Sequence, residues 1–193
     1  MTDQVQVVRL KIVLDDVAPQ VMRRIVVPLT IRLNRLHLVL QAAMGWTDSH
    51  LYEFRFGDTG FGIPDPDWGD GPLDARKATL RTALLDAGRK SFKYLYDFGD
   101  GWEHSIKVEK IEPCITDIGL PLLIAASGRC PPEDVGGPPG YSEFLEALND
   151  PAHEQHEDVL RWVGEPFEPN LVDTAAIDRA LALLARRWSR RKS

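Results

Sequence analysis

Apolar and polar residues alternate along two early segments of the chain. In residues 5–13 the alternation puts side chains such as Leu10 on one face and Lys11 on the other. Residues 23–27 repeat this alternation and stop at a proline. Because successive side chains of a strand point to opposite faces, both segments are predicted to be strands. Their closeness along the chain favours an antiparallel pair.

Residues 96–104 contain the strongest turn signal of the chain, an Asp-Gly pair between two runs of alternating residues. This pattern predicts a β-hairpin, since Asp-Gly is favoured in tight turns between strands. The turn would gather polar side chains at one end of a sheet. Turn chemistry alone also calls for Asp and Gly, so a purely structural role is the alternative. The candidate binding residues here are Asp97, Asp100, Trp102, Glu103 and His104.

Helical spacing of apolar residues follows the first strands and returns near the C-terminus. Thr30 and Ser142 are predicted N-caps, and residues 57–72, rich in Gly, Pro and Asp, are predicted to be loop. The fold class predicted is α+β, a mostly antiparallel sheet with a helix packed on it, reminiscent of β-grasp folds. We expect one domain, divided into a sheet core (1–113), a Pro/Gly-rich connector (114–141) and C-terminal helices (142–193).

A stretch dominated by proline and glycine, residues 130–141, carries a thiol and two acids. Proline restricts the backbone and glycine allows close approach, so this segment is predicted to be stiff. It serves either as a rigid connector or as a pocket wall that meets the hairpin tip. Under the second interpretation the further candidate binding residues are Trp46, His50, Glu133, Asp134 and Tyr141.

Composition sets the broad class. The chain has 193 residues, 44% hydrophobic and 27% charged, as in ordinary globular proteins. No apolar run is long enough for a membrane span and the N-terminus lacks a signal segment, so a cytoplasmic protein without a membrane partner is expected. A net charge of −6 disfavours phosphate binding over the whole surface. The basic tail, residues 186–192, keeps weak DNA binding as an alternative.

A metal site is the other chemistry that the residues allow. The chain contains two cysteines, too few for a disulfide framework, so histidine would have to complete any thiolate site. The candidate ligands for a divalent metal are His50, His104, Cys130 and Asp134. A carboxylate left over would act as general base toward a metal-bound water, which defines a metal-dependent hydrolase as an alternative function.

Several of these segments together resemble a known family. They are Arg23-Arg24-Ile25, residues 36–51, residues 96–104, the Cys-Pro-Pro-Glu-Asp-Val-Gly-Gly run from Cys130, and residues 140–145. With them the chain resembles the plasmid pRiA4b ORF-3-like proteins, a family that includes TnpR, a passenger protein of a mycobacterial insertion sequence. Met22 stands where the family commonly has Trp, and Leu123 where many members have a second cysteine.

The resemblance implies an association with plasmids and mobile elements but no particular reaction. Together with the absence of nucleotide-binding and hydrolase motifs from the sequence, it favours a binding or interaction module. Its partner would be a protein or a small molecule. The metal-dependent hydrolase and weak DNA binding through the tail stay as the two alternatives.

Overall fold

The computed structural model describes residues 5–65, 69, 71–114 and 119–189. The strands are β1 (Gln6–Leu14), β2 (Met22–Pro28), β3 (Tyr52–Phe56), β4 (Thr59–Gly62), β5 (Leu73–Asp74), β6 (Ser91–Tyr96), β7 (Trp102–Pro113) and β8 (Leu122–Ser127). The helices are α1 (Leu33–Met44), α2 (Leu80–Ala87), α3 (Gly137–Asn149), α4 (His156–Val163) and α5 (Thr174–Ser189). No described helix is both long and apolar enough to cross a membrane.

The strands form a single sheet in the order β5-β4-β3-β6-β7-β1-β2-β8. The β4–β5 pair is parallel, and the other described pairs are antiparallel. One face is buried in the core, where residues such as Leu10 and Phe54 are inaccessible to solvent. Helix α1 contributes its apolar stripe to the same core, and α5 packs beside α1 and β8. The α+β class with a mostly antiparallel sheet is therefore confirmed.

The loop predicted for residues 57–72 contains strand β4, so that part of the prediction is wrong. The two glycines of β4 favoured the loop prediction, since glycine is common in loops and rare inside strands. Gly62 is needed because a Cβ there would lie 2.7 Å from the Tyr52 carbonyl oxygen. Phe61 supplies the apolar contact, packing edge-to-face on Phe56 with centroids 5.8 Å apart.

Strand β8 lies inside the range expected to be connector, residues 114–141. It pairs with β2 at one edge of the sheet, and its residues are half-buried or exposed without regular alternation. Helix α3 begins at Gly137 and not after Ser142, because prolines are accommodated in the first turn of a helix. Likewise α1 has Arg32 as its N-cap residue instead of Thr30.

Candidate metal centre

Two neighbouring strands bring the first two residues of the site together. His50 precedes β3 and Asp97 follows β6. These strands pair with Tyr52 opposite Tyr96, and the ladder continues when the Asp97 amide donates to the Leu51 carbonyl oxygen at 2.9 Å. Antiparallel pairing therefore places residue 51 opposite residue 97, with residue 50 beside them, at the end of the two strands.

The segment of residues 130–136 packs against this end of the two strands. The Gly136 amide donates to Asp100 Oδ2 at 3.1 Å, and the Trp46 indole N–H donates to the Pro131 carbonyl oxygen at 3.0 Å. Gly137 lies against the backbone of the hairpin tip, since a Cβ at this position would be 2.2 Å from the Asp100 carbonyl oxygen. The hairpin tip and the proline-glycine segment thus meet and carry Glu133 and Asp134 to His50.

Three carboxylates surround one imidazole nitrogen. His50 Nε2 lies 2.9 Å from Asp134 Oδ1, 3.5 Å from Asp97 Oδ2 and 3.6 Å from Glu133 Oε2. Although this nitrogen is buried from solvent, it makes no aligned hydrogen bond to any of them. Among the described residues, His50, Asp97 and Asp134 are the group of three or more potential ligands whose donor atoms lie within 4.8 Å of one another.

The separations from His50 Nε2, 2.9–3.6 Å, are close to those between neighbouring ligands of one metal ion. With metal–ligand distances of about 2.1 Å, neighbouring donors lie about 3.0 Å apart in an octahedron and about 3.4 Å apart in a tetrahedron. Without a cation, the three carboxylates repel one another. One nitrogen and three oxygens, with no thiolate, suit a first-row divalent ion such as Mn²⁺ or Zn²⁺.

The two more buried carboxylates are oriented by hydrogen bonds to their other oxygen. Asp97, at a positive φ of 55°, accepts the Gly99 amide on Oδ1 at 2.9 Å, which leaves Oδ2 toward His50. Glu133 accepts the Thr47 amide on Oε1 at 2.7 Å and leaves Oε2 toward His50. Second bonds of this kind fix the direction of a metal ligand.

Tyr96 supports the site through hydrogen bonds of its hydroxyl group. Its hydroxyl is shared between the two Glu133 oxygens, at 3.2 Å from Oε1 and 3.3 Å from Oε2, and accepts the Ser49 amide at 3.1 Å. Burial, together with the neighbouring Glu133 carboxylate, raises the pKa of Tyr96 to about 12, so the phenol stays protonated and remains a donor. Asp134 forms the outer wall: its side chain is 71% exposed, which leaves one side of the cluster open.

The candidate residues Trp46 and Trp102 form the base of the site rather than its lining. Trp46 stacks on Tyr96 at 5.0 Å between centroids and contacts Trp102 at 5.9 Å. Both indoles are buried, at 7% and 1% exposure. They support the loops that carry His50 and Glu133.

His104 and Cys130 lie outside the cluster. His104 is fully buried, and its Nδ1 donates to the Tyr94 and Trp102 carbonyl oxygens. Burial lowers the pKa of His104 to about 4, so the ring is neutral. Burial also raises the pKa of the Cys130 thiol, which opposes the thiolate that a metal needs. Of the four metal ligands predicted, the structure brings His50 and Asp134 together.

The other binding candidates are dispersed. Asp100 is occupied by the Gly136 amide, at the border of the cluster. Glu103 points to the opposite face of the sheet, where it lies 3.7 Å from Lys93. Tyr141 is buried on α3 and stacks on Phe144, with centroids 6.2 Å apart. Neither Glu103 nor Tyr141 belongs to the cluster.

A buried polar network that was not predicted from the sequence supports the His50 loop. His37 Nε2 lies 2.6 Å from Asp48 Oδ1, and its Nδ1 lies 2.7 Å from the Tyr94 hydroxyl. Gln41 donates to that hydroxyl at 3.1 Å and accepts the Asp48 amide at 2.9 Å. A neutral His37 protonated on Nε2 satisfies every group, in agreement with the burial that lowers its pKa. The helical position of His37 indicates burial, but its partner eleven residues later gives no local signal.

A groove of about 750 Å³ adjoins the cluster and shares Glu133 with it. Its walls come from α1, the proline-glycine segment and the chain around α4 and α5. Apolar side chains dominate, including Trp162 and Leu171, which are 52% and 66% exposed. This volume falls in the range of small-molecule sites, which run from roughly 300 to 1,000 Å³.

Comparison with known proteins identifies the family, because residues 6–176 match the plasmid pRiA4b ORF-3-like protein. The chain belongs to the pRiA4b ORF-3-like family. It is 60% identical over 186 residues to the uncharacterized protein y4hQ of Sinorhizobium fredii, an alignment covering 96% of this chain and 95% of that protein. These matches confirm the family resemblance that the sequence motifs indicated.

A solved structure shares the fold. The crystal structure of the protein of unknown function MM3350 from Methanosarcina mazei Go1 superposes with a TM-score of 0.80 at 34% sequence identity. The match covers 92% of this chain and 98% of that one. The link of this family to plasmids comes from the family name alone.

Proposed function

We propose that this member of the pRiA4b ORF-3-like family is a metal-dependent binding module. His50, Asp97 and Asp134 hold one divalent cation, and Glu133 lies beside them as a further oxygen donor. The observation that carries the proposal is the buried His50 Nε2, which faces three carboxylates at 2.9–3.6 Å without an aligned hydrogen bond to any of them. A cation between His50, Asp97 and Asp134 satisfies the nitrogen and offsets the charge of the neighbouring carboxylates.

The neighbouring groove supports a role in ligand binding. Glu133 lines both the groove and the cluster, so a ligand in the groove reaches the metal. The exposed side of Asp134 leaves room for that ligand to complete the coordination. Such a ligand combines an oxygen donor for the ion with an apolar part that packs against Trp162.

Binding is better supported than hydrolysis. Hydrolysis would need a base free to take a proton from a metal-bound water. Asp97 and Asp134 act as ligands in this proposal, and Glu133 already accepts the Thr47 amide and the Tyr96 hydroxyl. Asp100, the other acid of the tip, accepts the Gly136 amide. The raised pKa of Tyr96, about 12, keeps its phenol from serving as a base near neutral pH.

The basic tail provides no geometric support for the DNA-binding alternative. Arg186 and Arg187 lie exposed at the end of α5. Arg190, Arg191 and Lys192 lie outside the described residues. DNA binding through this tail stays a prediction from the sequence.

Metal titration of the protein with an isosteric variant tests the proposal. Asp134→Asn removes one ligand charge and suits the positive φ of 59° at this position, because Asn tolerates the left-handed region. The matched control is Asp16→Asn, at an exposed aspartate with φ 60°. We expect Mn²⁺ or Zn²⁺ to bind the protein and the control in a 1:1 ratio. Asp134→Asn should bind roughly tenfold more weakly or worse. Absence of stoichiometric binding, or equal affinity in Asp134→Asn, would contradict the proposal.

A further inference from the structure

The solvent face of the sheet carries a basin lined by cations. It has a volume of about 530 Å³ and spans β3, β6, β7 and β1. We call it the basic basin, defined by Lys11, Arg55, Arg89, Lys93 and Lys107. Among the described residues no carboxylate lines it, although the protein as a whole has a net charge of −6.

The strand register forces like charges against each other in the basic basin. Lys11 lies directly opposite Lys107 on the neighbouring strand, and Arg55 lies directly opposite Lys93. Like charges at directly opposed positions destabilise a sheet. Glu103 offsets this cost at the second pair, since it lies 4.0 Å from Arg55 and 3.7 Å from Lys93. Among the described residues, Lys11 and Lys107 have no such carboxylate contact.

The cations of the basin differ in their partners. Lys93 is paired with Asp15 at 2.6 Å, and Arg55 with Glu53 at 2.7 Å. Within the described residues, Lys11, Arg89 and Lys107 have no carboxylate oxygen within 4.0 Å. Three cations without a carboxylate in direct contact therefore line one concavity, together with Ser91 and Ser105.

The shape and surroundings of the basin specify a compact anion rather than a long polyanion. Three strand spacings separate β3 from β1, so the basin is about 14 Å across. Its aromatic residue, Phe92, is only 5% exposed and offers no face for stacking a base. Asp15 and Glu103 stand at one end and repel further negative charge.

We propose that the basic basin binds a compact, multiply charged phosphate-class anion, such as an oligophosphate or a phosphorylated small molecule. Lys11, Arg89 and Lys107 would neutralise the phosphate oxygens, and the Ser91 hydroxyl would donate a hydrogen bond, whereas the Ser105 hydroxyl already donates to Asp15 at 2.9 Å. The bound anion removes the repulsion between the opposed lysines. The basin shares no residue with the metal centre, so the two proposals stand or fall independently.

Calorimetric titration with inorganic triphosphate at low ionic strength, without added divalent ion, tests this site. We expect 1:1 binding that weakens with salt. The double variant Lys11→Ala/Lys107→Ala should bind roughly tenfold more weakly or worse, since it loses two charge-assisted contacts. Lys77→Ala/Arg81→Ala removes the same charge from exposed positions outside the basin and should leave the affinity unchanged. Asp134→Asn should also bind triphosphate normally, which separates the basin from the metal centre.

Thermal melting supplies a second readout. Without anion at low salt, Lys11→Ala/Lys107→Ala should melt at a higher temperature than the parent protein, because the opposed lysines no longer repel. Triphosphate should raise the melting temperature of the parent and not of this variant. The proposal is overturned if triphosphate does not bind, or if both double variants bind it equally. It is also overturned if a twelve-nucleotide oligothymidylate binds more tightly with the same lysine dependence, which would indicate nucleic acid instead.

Discussion

Replacing Gly137 by alanine tests how the proline-glycine segment is held against the hairpin tip. Gly137 has a φ of 69°, and an added Cβ would lie 2.2 Å from the Asp100 carbonyl oxygen and 3.1 Å from its carbonyl carbon. The left-handed conformation alone costs a non-glycine residue about 1–2 kcal/mol. Because the obstacle is backbone, no rotamer change relieves it, and the segment must move away from the tip.

That movement breaks the hydrogen bond from the Gly136 amide to the Asp100 carboxylate, worth about 1.5–3 kcal/mol for a charged acceptor. The expected loss in unfolding free energy for Gly137→Ala is therefore about 2.5–5 kcal/mol. Gly88→Ala is the matched control, since Gly88 has a φ of 60° and nothing lies within 4 Å of its added Cβ. This control should lose only the conformational cost of about 1–2 kcal/mol.

Urea denaturation of both variants measures the difference directly, and metal titration of the same samples measures its effect on the site. Gly137→Ala should also bind Mn²⁺ or Zn²⁺ more weakly, because Glu133 and Asp134 retreat with the segment, whereas Gly88→Ala should not. Equal destabilisation of the two variants, with metal affinity unchanged in both, would refute the reasoning.

Three further perturbations probe the core and the site. Burial lowers the pKa of His104 from 6.5 to about 4, so the folded protein resists a proton that the unfolded chain accepts. The unfolding free energy should then fall by up to about 3 kcal/mol as pH drops from 6.5 toward 4, and chemical denaturation of His104→Gln should show a shallower pH dependence. Arg23 is buried and its guanidinium donates to the Ala43, Ser127 and Gly128 carbonyl oxygens. Arg23→Met should therefore destabilise by about 3 kcal/mol or more in urea. The control Arg24→Met, which loses only the surface ion pair to Glu109, should lose far less. Tyr96→Phe removes a donor to Glu133 and should weaken metal binding roughly tenfold with little change in thermal melting; unchanged affinity would exclude this supporting role.

Local patterns predicted the parts of the fold that local chemistry determines. The alternation of residues 5–13 and the Asp-Gly turn gave β1 and the β6–β7 hairpin. Thr79 caps α2, and Gly45 ends α1 in the left-handed conformation, at positions where threonine and glycine are favoured. Strand β8 was missed because an edge strand beside a helix has no clean period of two.

The candidate site depends on contacts between distant segments, and these were only partly predictable. Once β3 and β6 are paired, the proximity of His50 and Asp97 follows from the register. The approach of Glu133 depends on close packing at Gly137, which no periodicity reveals. The burial of His104, by contrast, had a signal: it shares a strand face with the apolar Trp102 and Ile106, so a core position was the expected outcome.

Anomalous diffraction from crystals of the Mn²⁺- or Zn²⁺-loaded protein tests the metal centre most directly. The account predicts one strong peak about 2.0–2.3 Å from His50 Nε2 and from oxygens of Asp97 and Asp134. Absence of a peak there, with Nε2 hydrogen-bonded linearly to Asp134 instead, would contradict it.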